Sequence, residues 1–127
     1  MEIQAKKRIL LVEDDTFLAD MYITKLTDEG FEVVLCTDGQ QAIDKYKEDS
    51  SFDLILLDLM LPKIAGSEVL KQIRMMPGGS GAKVMILTNL DTDEEKQKIN
   101  QLGAVGYLLK SSLTPLHLVE KIKEALS

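Results

Sequence analysis

Reactive side chains come directly after apolar runs at four places in this 127-residue chain. Glu13-Asp14-Asp15 follows Ile9-Leu10-Leu11-Val12, and Asp58 follows Leu54-Ile55-Leu56-Leu57. Thr88-Asn89 follows Val84-Met85-Ile86-Leu87, and Lys110 follows Tyr107-Leu108-Leu109. Acids, a hydroxyl and an amine thus stand in the same relation to the hydrophobic pattern. Carboxylates held together repel one another, so the set favours a bound cation, and oxygen-only donors select Mg2+ or Ca2+ over zinc. The few protein oxygens on offer match Mg2+, which retains waters and completes its octahedron with a phosphate. A carboxylate nucleophile, a metal, a hydroxyl donor and an ammonium are what phosphoryl transfer needs, because its catalysis is mostly positioning and charge neutralisation.

These groups meet only if the apolar runs lie side by side and point the same way. Runs at 9–12, 31–36, 54–57, 84–87 and 105–109 have strand length, and an unbroken apolar strand is buried on both faces, as in parallel sheets covered by helices. Amphipathic stretches separate them. Leu18, Met21, Tyr22 and Leu26 recur at helical spacing, and Gly30 stops that helix. Asp38, Ser67 and Thr92 are read as caps of the next three helices, with Pro77-Gly78-Gly79-Ser80-Gly81 as the connection before the fourth strand. Thr114 caps the last helix, Pro115 takes its first position, and Leu116, Val119, Ile122 and Leu126 form its apolar stripe. Five βα units with short connections predict an α/β fold: a doubly wound five-stranded parallel sheet with helices on both faces. Glu32 in the second strand and Gly106 in the fifth mark these two as the edges.

Composition narrows the field further. A chain of this length with 45% hydrophobic residues supports one core, so residues 1–127 are read as a single domain with its core at about 8–126. The formal net charge of −6 excludes direct, sequence-independent nucleic-acid binding, which needs a basic footprint. Cys36, the sole cysteine, sits in an apolar run and reads as a small buried hydrophobe in a reducing compartment. No stretch, including the N-terminal one, approaches membrane-spanning length, so a cytoplasmic protein without membrane insertion is expected. His117, the only histidine, lies off the last helix's apolar stripe and reads as a surface residue.

Over nearly the whole chain, these residues resemble the receiver domain of two-component response regulators. The resemblance rests on Asp14-Asp15 after the first strand, Asp58 after the third with Pro62 and Gly66 downstream, Thr88 after the fourth, and Tyr107 with Lys110 on the fifth. It implies the flavodoxin-like fold with strand order 2-1-3-4-5. It also implies that Asp58 accepts a phosphoryl group from a phosphohistidine on a sensor kinase or histidine phosphotransfer protein. Mg2+ would be held by Asp15, Asp58 and the Met60 carbonyl, with Asp14 acting through a water. Lys110 would pair with Asp58 and then with the phosphoryl group. Thr88 would contribute its hydroxyl, Asn89 its backbone, and Tyr107 would switch rotamer with Thr88. The output would be altered protein binding through the face of the fourth helix, fifth strand and fifth helix, with homodimerisation on phosphorylation left open. Such a domain catalyses its own phosphorylation and dephosphorylation and is not a conventional enzyme.

Three positions depart from the pattern. Lys110 precedes Ser111 where the family usually has proline after a cis bond, which leaves the isomer open, since cis without proline costs about 2.5–4 kcal/mol. Asn89 replaces a very small residue, so its side chain either narrows access to the phosphoryl group or hydrogen-bonds to it. Met60 and Leu90 stand where faster-hydrolysing members often carry polar groups, which implies a long-lived phosphoryl state. The alternative is an aspartate-nucleophile phosphatase, which also uses Asp, Thr, Lys and Mg2+. Such enzymes usually carry a second acid two residues after the nucleophile, and Met60 cannot act as one. A flavodoxin-like cofactor binder is disfavoured by the acidic first loop, where a phosphate cradle calls for glycine or hydroxyl residues.

Overall fold

Alternation along each apolar run divides its side chains between two helical layers. The computed structural model describes residues 6–127; residues 1–5, the start of the N-terminal stretch expected to be non-spanning, lie outside it. Its elements are β1 (Arg8–Val12), α1 (Thr16–Asp28), β2 (Glu32–Cys36), α2 (Gly39–Glu48), β3 (Leu54–Leu57) and α3 (Gly66–Arg74). Next come a 3-10 turn (Gly79–Gly81), β4 (Val84–Thr88), α4 (Asp93–Gln101), β5 (Gly106–Leu109), a second 3-10 turn (Lys110–Ser112) and α5 (Pro115–Leu126). All strand pairs are parallel, in the order β2-β1-β3-β4-β5, so β2 and β5 are the edges as expected.

The central register sets Ile9 beside Leu54 and Val12 beside Leu57, and every residue of β3 is buried. Leu10, Val12, Ile55, Leu57, Val84 and Ile86 face α2, α3 and α4 through Ile43, Leu70, Ile73 and Ile99. Ile9, Leu11, Leu54, Leu56 and Leu87 face α1 and α5 through Tyr22, Leu26, Val119 and Ile122. Each fully buried Leu or Ile contributes about 1.5–3 kcal/mol of transfer free energy, so this two-sided core dominates stability. No helix among the described residues is long and apolar enough to cross a membrane.

Local signals are realised with three corrections. Asp38, Thr92 and Thr114 cap α2, α4 and α5 by accepting from Gln41, Glu95 and His117 backbone N–H groups. Ser67 does not cap α3: the cap position falls two residues earlier, at Ala65, which makes no side-chain cap, and Gly66 is the first helical residue. In α5 the buried face is Leu118, Val119 and Ile122, and Leu116, two residues before Leu118 and so on the other side of the helix, is exposed. In α1 it is Ala19 that joins Tyr22 and Leu26 in the core, while Met21 faces outward.

Two features outside the strands hold the loops in place. Arg74, at the end of α3, has no carboxylate partner among the described residues; its guanidinium donates to the carbonyls of Leu102, Gly79, Ala82 and Gly103 at 2.6–3.1 Å. Gly66 lies so close to the end of β3 that a Cβ there would sit 2.1 Å from the Asp58 carbonyl and 2.6 Å from Leu59 Cα. Gly66→Ala is therefore expected to destabilise the protein by about 1–3 kcal/mol, as overpacking does. Gly81→Ala, where a Cβ meets nothing within 4 Å, should change stability by less than about 1 kcal/mol. Urea denaturation of the two variants checks the pair, and equal losses would contradict the close approach.

Candidate functional site

The parallel sheet brings the C-terminal ends of β1, β3, β4 and β5 to one edge, the position where open α/β sheets bind ligands. Asp58 follows β3 immediately. Its N–H donates to the Val12 carbonyl at 3.2 Å, which extends the β1–β3 pairing to the acid itself. Its side chain is held at both oxygens: Oδ1 accepts from Met60 N–H at 3.0 Å, and Oδ2 lies 2.6 Å from Lys110 Nζ. Asp58 is only 4% exposed, so its carboxylate sits in a low-dielectric setting where a charged partner matters.

Lys110 arrives from the end of β5 and meets two acids. Besides Asp58, its Nζ lies 2.5 Å from Glu13 Oε1. Burial works against the ammonium's charge, and the contacts with Asp58 and Glu13 outweigh it, so Lys110 titrates above the ordinary lysine value. One cation divided between two buried acids leaves Glu13 the worse served, and burial pushes its carboxyl above the usual glutamate range. Glu13 Oε2 accepts from Asp15 N–H at 3.1 Å. Its Oε1 is buried with the Lys110 ammonium against it.

The gathered acids are Glu13, Asp14 and Asp58, whose carboxylate oxygens lie within 4.8 Å of one another. Asp15, expected as a direct metal ligand, is not among them: its Oδ1 accepts from Leu18 N–H at 3.1 Å and caps α1. The acidic pair is thus shifted by one residue from Asp14-Asp15 to Glu13-Asp14. The missed signal is positional. β1 ends at Val12, so Glu13 is the first residue past the strand, and an Asp placed directly before a helical stripe is a favoured N-cap. Three carboxylates against the Lys110 ammonium leave two negative charges in a partly buried cluster. That imbalance, together with the all-oxygen donor set, fits a divalent cation with oxygen ligands.

The remaining residues form the rim. Thr88 is fully buried at the end of β4, and its Oγ1 accepts from Leu90 N–H at 3.3 Å, which leaves its own hydrogen to donate. Tyr107, half-buried, donates its hydroxyl to the Leu90 carbonyl, and Lys96 Nζ stands 5.7 Å from the centre of its ring. Asn89 is exposed, and its side chain accepts from Ser111 N–H at 2.9 Å. The Lys110–Ser111 bond is trans, as are all peptide bonds among the described residues. Met60 is 59% exposed beside Asp58, and Leu90 is partly buried on the rim.

Comparison with known proteins agrees with this geometry. The response regulator receiver domain family matches residues 9–123. The sensory transduction protein RegX3 of Mycobacterium bovis is 38% identical over 102 residues, covering 80% of this chain and 43% of that protein. The chain therefore spans less than half of that curated relative. Among solved structures, the chemotaxis protein CheY4 of Vibrio cholerae superposes with a TM-score of 0.88 at 30% identity, over 96% of this chain and all of that one. The receiver domain of the sensor histidine kinase PA1611 of Pseudomonas aeruginosa, solved with a magnesium ion in its active-site cleft, gives 0.85 at 27% identity, over 96% and 98% of the two chains. Five parallel strands in this order, an acidic cluster at their C-terminal edge and a family match across nearly the whole length lead to one conclusion: the chain is a receiver domain of the two-component response regulator family.

Proposed function

We propose that Asp58 is the phosphoacceptor and that the chain takes a phosphoryl group from a phosphohistidine on a sensor kinase or histidine phosphotransfer protein. The observation that carries this reading is the buried Asp58 carboxylate at the end of the central strand, contacted 2.6 Å away by the Lys110 ammonium. In the transfer, an Asp58 carboxylate oxygen forms a bond to phosphorus while the bond from phosphorus to the donor imidazole nitrogen breaks, its electron pair returning to that nitrogen. Lys110 follows the charge from Asp58 onto a phosphoryl oxygen, and the Thr88 hydroxyl donates to another. Glu13, Asp14, Asp58 and the Met60 carbonyl would hold Mg2+, which when bound offsets the charge of the phosphoryl group. The magnesium ion in the Pseudomonas relative's cleft supports this choice of metal.

The output is a change in protein binding through α4, β5 and α5, where Tyr107 links β5 to the β4–α4 loop through Leu90. The kinase, the downstream partner and homodimerisation on phosphorylation belong to the proposal, as does a cytoplasmic location, which suits a single buried thiol. Nothing favours a phosphatase: the residue two beyond Asp58 is Met60, which has no proton to exchange.

Incubation with Mg2+ and acetyl phosphate should add one phosphoryl group by intact mass, and Asp58→Asn should abolish it. An adduct that survives this change would overturn the assignment. Because neither Met60 nor Leu90 offers a polar group to orient water, the adduct should decay more slowly than in a Met60→Asn, Leu90→Glu variant; equal decay would refute a long-lived state.

The metal set gives a separate expectation. With its pKa raised, folded Glu13 binds a proton more readily than unfolded Glu13, so its contribution to stability falls as pH rises from the ordinary glutamate value through the folded one. Without metal, Glu13→Gln should remove that decline, which begins near the ordinary glutamate value and continues above it. With Mg2+, the parent should gain more in melting temperature than Glu13→Gln or Asp14→Asn, whereas Asp15→Asn, which keeps a capping side chain, should gain as much as the parent. A lost Mg2+ shift in Asp15→Asn alone would restore Asp15 as the ligand.

A further inference from the structure

Lys110 has a long, flexible stem, so where its ammonium rests depends on where its backbone is held. The Lys110–Ser112 turn that carries it makes mainly local bonds: Leu113 N–H donates to the Lys110 carbonyl, and Ser112 Oγ to the Leu109 carbonyl. The first N–H groups of a helical turn have no partner within the turn. Ser111 N–H is one of these, and it is taken by Asn89 Oδ1 at 2.9 Å, from a residue 22 positions earlier. Asn89 is a firm anchor although exposed. On one side is buried Thr88, and on the other Leu90, whose N–H donates to Thr88 Oγ1 and whose carbonyl accepts from Tyr107. The side chain therefore ties the end of β4, next to the threonine, to the turn that starts at the lysine.

We infer that Asn89 is a positioning residue for phosphoryl transfer: by accepting Ser111 N–H, it fixes the trans Lys110 turn so that Nζ reaches Asp58. The inference rests on Asp58 being the phosphoacceptor. It differs from a role in which Asn89 blocks the phosphoryl group or bonds to it directly. A tether of this kind sets the height of the transfer barrier and leaves the Glu13-Asp14-Asp58 metal set unmoved.

Three measurements on the parent, Asn89→Ala and Asn89→Asp test this. They are hydrogen exchange at the Ser111 amide, the maximal rate of adduct formation with acetyl phosphate at saturating Mg2+, and Mg2+ affinity from melting shifts. The parent and Asn89→Asp, which both offer an oxygen, should protect Ser111 N–H, and Asn89→Ala should expose it while Tyr107, whose N–H lies on the β4 side of the strand like that of Val105, stays protected. Loss of one neutral hydrogen bond should lower the maximal rate of Asn89→Ala about fivefold. Mg2+ affinity should stay within about twofold of the parent, since no proposed ligand is touched. An unprotected Ser111 in the parent overturns the inference. So does an Asn89→Ala protein that reacts as fast as the parent or faster, the latter being the signature of a steric gate. A slowed variant whose Ser111 remains protected overturns it too, since Asn89 would then act on the phosphoryl group. A parent that gains no phosphoryl group at all instead overturns the reading of Asp58 beneath it.

Discussion

One ammonium shared by two buried carboxylates is the constraint around which this molecule is arranged. Lys110 comes from an edge strand, Asp58 from the centre of the sheet and Glu13 from the strand beside it, so their meeting requires β1, β3, β4 and β5 to be in register. Opposite charges at this distance attract strongly in a low-dielectric setting, yet removing each from water costs several kcal/mol, and the balance is only partly met by one lysine. The cluster remains short of positive charge. A site built this way is receptive to a cation and to a change in the charge of Asp58, both of which redistribute what Lys110 must neutralise.

The rim shows how the edge strands serve that centre. Tyr107 and Ser111 flank the β5 terminus at Leu109, and both bond to the loop after β4, one to Leu90 and the other to Asn89. The two strand ends therefore behave as one unit. A disturbance at Thr88 reaches β5 through covalent neighbours and two hydrogen bonds, without crossing the core. The core itself, fully buried across β3 and β4, has no room to adjust.

Much of this was legible in the chain, because buried parallel strands announce themselves as unbroken apolar runs, and the residues just past those runs must share one edge. Asp58, Thr88 and Lys110 were found that way, and the edges by Glu32 and Gly106. The positions where structure and expectation part turn on shifts of one or two residues. Three consecutive acids after β1 look alike in sequence, and only the helix start at Thr16 assigns Asp15 to capping and leaves Glu13 for the cluster. Ser67 failed as a cap for a related reason: the contact of Gly66 with the end of β3 fixes where α3 begins, and that contact is tertiary. Leu116 and Leu118 both fit a helical stripe, and only the tertiary packing of α5 decides between them.

The four carbonyls gathered by Arg74 bear on α4. This helix buries one residue, Ile99, near its C-terminal end, and the guanidinium grips the two residues just past that end. Its N-terminal end meets the sheet through the short loop from Thr88 and through Lys96, which stands over the Tyr107 ring. A helix anchored so unequally has a C-terminal end that answers to α3 and an N-terminal end that answers to β5 and the β4–α4 loop.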